Sequence, residues 1–117
     1  MKYLFDTSVW IDHFKKEDKS LRTALEENNL VINEVIIGEL AAGNIPKRKQ
    51  TLRDLILLDI IPTPRLEELL AFIEIRRLFA LSLSWSDIQI MASALLAKVD
   101  LITSDKKLYR EWKKINK

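Results

Sequence analysis

The chain has 117 residues, with 19 basic and 17 acidic side chains and no cysteine. This length suffices for one hydrophobic core, and no shift in composition marks a second unit, so we expect a single domain over residues 1–117. The lack of cysteine excludes disulfides and thiolate chemistry. Because no apolar stretch of about 20 residues and no export signal is present, we expect a cytoplasmic protein with no membrane span. The net charge of +2 leaves nucleic-acid binding to local patches.

The first half of the chain predicts short strands separated by helices. In chain order these are a strand over 2–5, helices over 7–14 and 19–27, a strand over 30–32, helices over 33–43 and 47–58, and a strand over 59–61. Asn33 is suited to cap the third helix, and Gly43 to end it. Pro62 closes the last of these strands.

The second half continues the alternation. Thr63 and Pro64 have the form of a helix start, and that helix is predicted to reach about Leu81. A helix over 85–98 opened by Ser84, a strand over 99–103 and a helix over 105–114 follow. Strands separated by helices predict an α/β fold with a parallel sheet of about four strands. The apolar residues of the helix from Pro64 occupy more than one stripe, so this helix lies deep in the core or also meets a second subunit or partner.

Four acidic residues stand at the edges of apolar segments: Asp6, Glu39, Asp87 and Asp105. Asp6 follows the first strand and Asp105 the last, and ligands of open α/β sheets bind at the carboxyl ends of strands. If those two strands are neighbours, the carboxylates of Asp6 and Asp105 face one another. Glu39 and Asp87, which lie on helices, can approach the same crevice. Several carboxylates close together repel one another and need a cation to neutralise them. Coordination by oxygen atoms alone favours Mg²⁺ or Mn²⁺.

Each acid also has a local explanation. Asp6 suits a strand-end turn, Asp105 an N-cap, and Asp87 a capping box with Ser84. These roles do not exclude metal binding. Glu39 lies within a largely apolar helix, where a charge needs a partner or a metal.

The sequence resembles the PIN-domain ribonucleases, in particular the small VapC-type toxins of toxin–antitoxin pairs. The resemblance rests on four segments in order: LFDTSVWID from Leu4, IGEL from Ile37, SDIQIMA from Ser86 and LITSD from Leu101. It implies a three-layer α/β/α fold and a metal-dependent endoribonuclease with a cognate antitoxin. The implied catalytic residues are Asp6, Glu39, Asp87 and Asp105, with Asp6, Asp87 and Asp105 as ligands of Mg²⁺ or Mn²⁺ and Thr7 and Thr103 as supporting hydroxyls.

The resemblance has two departures. Lys107 stands where many relatives carry an acidic or polar residue, which leaves the number of metal ions open. Many relatives also add a strand after the final helix, whereas here we expect four strands and an open sheet edge.

Several interpretations remain beside catalysis. A non-catalytic RNA-binding or regulatory domain can keep the same fold. A phosphatase of another doubly wound family also begins with an aspartate after its first strand, but this chain has Ser8 where the second aspartate is needed. The basic groups 47–49, 76–77 and 106–114 are either RNA contacts or solvated helix faces. His13, the single histidine, is expected to pack or lie at the surface, and Trp10 is a candidate partner contact together with the helix from Pro64, for a homodimer or the antitoxin.

Overall fold

The computed structural model describes residues 1–116, and these form four strands and seven helices. The elements in chain order are β1 (Tyr3–Phe5), α1 (Thr7–Lys15), α2 (Lys19–Glu26), β2 (Leu30–Asn33), α3 (Glu34–Ala42), α4 (Arg48–Ile56), β3 (Asp59–Ile61), α5 (Leu66–Arg76), α6 (Trp85–Ala97), β4 (Asp100–Ile102) and α7 (Lys106–Ile115). The predicted order of elements is confirmed. Within the described residues, none of these helices combines the length and apolarity that crossing a bilayer requires.

The strands form one parallel sheet in the order β3-β2-β1-β4. Tyr3 pairs with Leu30 on one side and with Asp100 on the other, so β1 lies between β2 and β4. The predicted three-layer α/β architecture is confirmed. The order of strands reverses between β1 and β4, and this reversal opens a crevice at the carboxyl ends of the two strands. The first and last strands are therefore neighbours, which is the condition under which the carboxylates of Asp6 and Asp105 were expected to face one another.

The core lies on both sides of this sheet. The central strands of the sheet, β1 and β2, are almost entirely buried. Leu4, Phe5 and Ile32 are at most 1% exposed. The first helix buries Val9 and Trp10. Trp10 is only 5% exposed, so it belongs to the core and does not offer a surface for a partner, contrary to our expectation.

Helix α5 is shorter than predicted. It begins at Leu66, because the Arg65 backbone N–H is bound by the Glu68 carboxylate at 3.0 Å. The Thr63 hydroxyl, which we expected to cap the helix, accepts instead a hydrogen bond from Asn33. The helix ends at Arg76, because Arg77 adopts the left-handed conformation.

The wide apolar surface of α5 does not lie deep in the core. Leu69 alone is buried among its residues, whereas Leu66 is 56%, Leu70 51% and Ile75 76% exposed. The interpretation that placed the whole helix in the core is wrong. Three large apolar side chains face outward from one helix, which leaves a surface suited to a second protein.

Candidate active site

Asp6 is the buried centre of the candidate site. It directly follows β1 and caps α1, and it is only 6% exposed. Its Oδ1 accepts from the Thr7 backbone N–H at 2.7 Å. Its Oδ2 accepts from the hydroxyls of Ser8 at 3.1 Å and Thr103 at 2.7 Å. Three donors thus hold this carboxylate in one orientation.

Burial raises the pKa of the Asp6 carboxyl above its usual value. The hydrogen bonds from Thr103, Ser8 and Thr7 act in the opposite direction, since they stabilise the ionised form. The negative charge of Asp87 adds to the increase in pKa. Asp6 and Asp87 are therefore close enough to repel each other, and a cation between them would relieve that repulsion.

The carboxyl end of β4 contributes Thr103 and Asp105. The Thr103 hydroxyl accepts from the Asp105 backbone N–H at 3.0 Å while it donates to Asp6. Thr103 therefore joins the two strand ends. The Asp105 carboxylate is exposed and caps α7, accepting from the backbone N–H groups of Lys107 at 2.9 Å and Leu108 at 3.2 Å. The predicted N-cap is confirmed.

Helix α3 contributes Glu39. Its Oε1 accepts from the Thr7 hydroxyl at 2.6 Å, which connects α3 to the start of α1. Glu39 is exposed, and the Thr7 hydroxyl is a partner of the kind that a charge in this largely apolar helix was expected to need. Its helix buries Ile36 and Leu40 instead and turns Glu39 toward Thr7 and solvent. Water and one hydroxyl therefore satisfy this carboxylate.

The first turn of α6 contributes Asp87. Its Oδ2 accepts from the Ser84 backbone N–H at 3.0 Å, and its own N–H donates to the Ser84 hydroxyl at 3.0 Å. The predicted capping box is confirmed. Asp87 is only partly exposed, and its charge reaches Asp6. The same side chain thus stabilises its helix and adds a negative charge to the site.

The four acids surround one end of the sheet without forming a closed cage. Across residues 1–116, no three or more His, Asp or Glu side chains are gathered closely enough to hold a metal ion. Magnesium commonly takes only one or two carboxylates and completes its shell with water and substrate phosphate. The pair of Asp6 and Asp87 fits that mode, because both ligands are oxygens and the two charges already repel.

Two site hydroxyls were not assigned from the sequence. Ser8 donates to Asp6 and accepts from Ser104 at 2.9 Å. Each serine lies close after a strand end, in the segments Asp6-Thr7-Ser8 and Thr103-Ser104-Asp105. That position is the signal available in the sequence, because Ser and Thr hydroxyls after a strand commonly bond to nearby polar groups.

The remaining sequence candidates lie away from these bonds. His13 is partly buried beside Trp10, and its Nδ1 accepts from the Asp18 backbone N–H at 3.0 Å, which confirms a packing role. Arg48 donates to the carbonyls of Ala41 and Gly43 and so secures the end of α3. Lys107 is exposed.

Fold and site define an α/β protein with a buried aspartate, Asp6, at the switch point of its parallel sheet and the charge of Asp87 acting on it. The family model of the PIN domain matches residues 3–112, and the chain therefore belongs to the PIN domain family.

Among its relatives is Ribonuclease VapC32, found in two strains of Mycobacterium tuberculosis. It is 35% identical over 106 residues, which cover 90% of this chain and 86% of that protein. The predicted resemblance to VapC-type PIN proteins is confirmed. The crystal structure of PAE2754 from Pyrobaculum aerophilum has the same fold, with a TM-score of 0.66 at 19% identity over 95% of this chain and 84% of the other.

Proposed function

We propose that this protein is a Mg²⁺- or Mn²⁺-dependent endoribonuclease that hydrolyses RNA phosphodiester bonds with Asp6, Glu39, Asp87 and Asp105. The observation that carries this proposal is the buried Asp6 carboxylate at the switch point, with a raised pKa and a second carboxylate within electrostatic reach. A buried carboxylate with a like charge nearby is unfavourable to ionise, and strongly shifted pKa values cluster at functional sites. The name of the relative VapC32, a ribonuclease, supports RNA as the substrate.

Asp6 and Asp87 would hold the divalent cation, and Asp105 would join them by turning away from its helix cap. When bound, such an ion lowers the pKa of a coordinated water and stabilises charge on the phosphate. Thr103 and Ser8 keep Asp6 in place through its Oδ2. Glu39, held by Thr7, is positioned to orient the attacking water or to bind the cation through water.

We further propose that the protein is the toxin of a toxin–antitoxin pair and forms a homodimer. The relationship to VapC32 supports the first part. The exposed Leu66, Leu70 and Ile75 of α5 support the second, since an outward apolar face on a small domain is suited to a protein partner.

The decisive experiment incubates the purified protein with cellular RNA in Mg²⁺, in Mn²⁺ and in chelator. We expect cleavage only with metal, leaving 5′-phosphate and 3′-hydroxyl ends. Asp6→Asn, Asp87→Asn and Asp105→Asn should each lower the rate by more than about tenfold, equivalent to ~1.4 kcal/mol of transition-state stabilisation. The matched control is Asp12→Asn, an exposed aspartate on α1, which should cut like the wild type.

Equal cleavage by the wild type and Asp87→Asn would contradict the proposal, as would cleavage in chelator. A non-catalytic RNA-binding domain is the second candidate, and it is favoured by the lack of a closed three-ligand group among the described residues. It predicts RNA binding without cleavage by folded wild-type protein in either metal.

A further inference from the structure

An exposed aromatic surface lies between α5 and α6. It consists of Arg77, Phe79, Leu81 and Trp85, and we call it the aromatic surface. Phe79 is 50%, Leu81 38% and Trp85 47% exposed. Tryptophan is highly buried on average, and the other two tryptophans of this chain, Trp10 and Trp112, are 5% and 3% exposed. The fold therefore does not use most of the area of Trp85.

The aromatic surface is fixed to the acidic site through α6. Trp85 is the first residue of this helix, and Asp87 lies in the same turn. The reciprocal bonds between Ser84 and Asp87 lock that turn. A ligand that lies against Trp85 is thus held at a set position relative to the carboxylates.

The loop that presents Phe79 and Leu81 has an unusual backbone. Arg77, Ala80 and Ser82 have φ angles of 54°, 61° and 61°, although none is glycine. Residues with a Cβ pay for the left-handed conformation, and such positions cluster where a ligand is bound. Leu78, only 4% exposed, anchors the loop in the core. The result is a loop that turns Phe79 outward instead of burying it.

The chemistry of the aromatic surface matches an unpaired nucleotide. The Arg77 guanidinium carbon lies 5.9 Å from the centroid of the Phe79 ring. Exposed rings stack on base faces, while an arginine binds a phosphate and also stacks. The neighbouring Arg76 and Arg77 are both exposed and supply positive charge at the end of α5. A purely apolar protein partner is better matched by Leu66, Leu70 and Ile75 of α5, which include no aromatic ring and no cation.

We propose that Trp85 and Phe79 form a stacking platform for an unpaired nucleotide of the RNA substrate, next to the bond that is cut, with Arg77 on the phosphate of that nucleotide. This inference rests on the proposed ribonuclease function and names how the substrate is held. It makes the protein selective for single-stranded segments, because bases paired in a duplex do not offer their faces.

The test measures binding of a fluorescently labelled single-stranded RNA ten-mer in chelator, so that no cleavage occurs. We expect Trp85→Ala and Phe79→Ala each to weaken binding by about fivefold or more, the lower end of the loss of one stacked base. Trp85→Phe should restore most of it. Arg77→Gln should lower the slope of log affinity against log salt by about 0.7. The matched control is Leu96→Ala, an exposed apolar residue (58%) at the far end of α6, which should bind like the wild type.

Fluorescence gives a second readout. RNA should quench Trp85 emission and leave the buried Trp10 and Trp112 unaffected, and the duplex of the same sequence should quench it less. Unchanged RNA affinity in Trp85→Ala and Phe79→Ala would overturn the proposed stacking platform. If these variants shifted from dimer to monomer while their RNA affinity stayed the same, the surface would be a dimer contact, and the platform would again be overturned. If wild type cuts RNA but Trp85→Ala has the same KM, the platform alone fails. If wild type binds the ten-mer through Trp85 but never cuts, the proposed function fails instead.

Discussion

Asp6 has two roles with opposite effects on the stability of the fold. As the residue between β1 and α1, it accepts three hydrogen bonds that order the strand end. As a buried carboxylate near Asp87, it is destabilised when ionised, and its pKa rises mainly because of burial. A group with a raised folded-state pKa contributes most stability when protonated, and that contribution is lost as the pH rises through the folded pKa.

Asp6→Asn should therefore stabilise the metal-free protein at neutral pH. The amide keeps the acceptor for the Thr7 N–H and adds donors toward the hydroxyls of Ser8 and Thr103, without a buried charge. The gain in unfolding free energy should be absent below the ordinary pKa of an aspartate, increase as the pH rises to the raised folded pKa of Asp6, and level off above it. Urea unfolding of the wild type and Asp6→Asn in chelator, repeated across this pH range, measures the gain in unfolding free energy.

The control for this series is Asp12→Asn, which changes an exposed aspartate of the same helix and should show no such pH-dependent gain. A lower melting temperature of Asp6→Asn at neutral pH would mean that the hydrogen bonds to the ionised form outweigh its burial. The site would then be a structural cap first. Excess Mg²⁺ should remove the advantage of Asp6→Asn, since a cation stabilises the ionised wild type.

At the scale of elements, α5 shows where sequence reasoning succeeds and where it fails. Its existence was predictable from its apolar residues, but not its end near residue 76 in place of 81. The apolar run continues through Leu78, Phe79 and Leu81, yet Leu78 enters the core from a left-handed turn. Periodicity does not reveal such a turn, because no glycine or proline marks it.

Neighbouring leucines of α5 give a matched test of this helix. Leu69 is 2% exposed and Leu70 51%. Leu69→Ala should lower the unfolding free energy by about 2–5 kcal/mol, because it leaves a cavity. Leu70→Ala should change the unfolding free energy of dilute protein by less than about 0.5 kcal/mol. Light scattering at high concentration should show Leu70→Ala shifted from dimer toward monomer; an unchanged dimer would remove α5 from the proposed interface.

At the scale of the whole molecule, the buried Asn33 joins three elements. Its amide nitrogen donates to Thr63 and Ser93 at 2.9 Å each, and its oxygen accepts from the Val35 N–H at 2.7 Å. Ser93 in turn donates to the Pro62 carbonyl at 2.8 Å. The cap on α3 was predictable, since its partner is two residues away. The bonds to positions 30 and 60 residues distant were not, because they depend on the completed packing.

Asn33→Ala should lower the unfolding free energy by about 1–3 kcal/mol, since it leaves the Val35 N–H without its acceptor and the Thr63 and Ser93 hydroxyls without their donor. It should also reduce cleavage, because Asn33 starts the helix that carries Glu39. Asn33→Asp keeps the acceptor for the Val35 N–H but loses the amide donors and places a carboxyl in a fully buried position, so it should be destabilised even though the start of α3 is kept. Chemical denaturation together with the RNA cleavage assay measures both, and wild-type stability in Asn33→Ala would contradict this account.

In the candidate site too, local contacts were predictable from the sequence and long-range contacts were not. The strand-end positions of Asp6 and Asp105 and the caps of Asp87 and Asp105 followed from local patterns. The exposure of Glu39 and its bond from Thr7 depend on how α3 meets α1, and the bond from Ser104 to Ser8 depends on how the ends of β1 and β4 meet. A single sequence does not encode these contacts locally. The assignment of the four acids to catalysis remains a prediction that the cleavage experiment decides.

The bond from Thr103 to Asp6 spans 97 positions of the chain. During synthesis the amino-terminal segments emerge first, so β1 and β2 are translated before β4, the second neighbour of β1. Until then Asp6 lacks the Thr103 hydroxyl donor and its second neighbouring strand. A growing chain on the ribosome therefore contains no assembled acidic site until the segment through Thr103 has been translated.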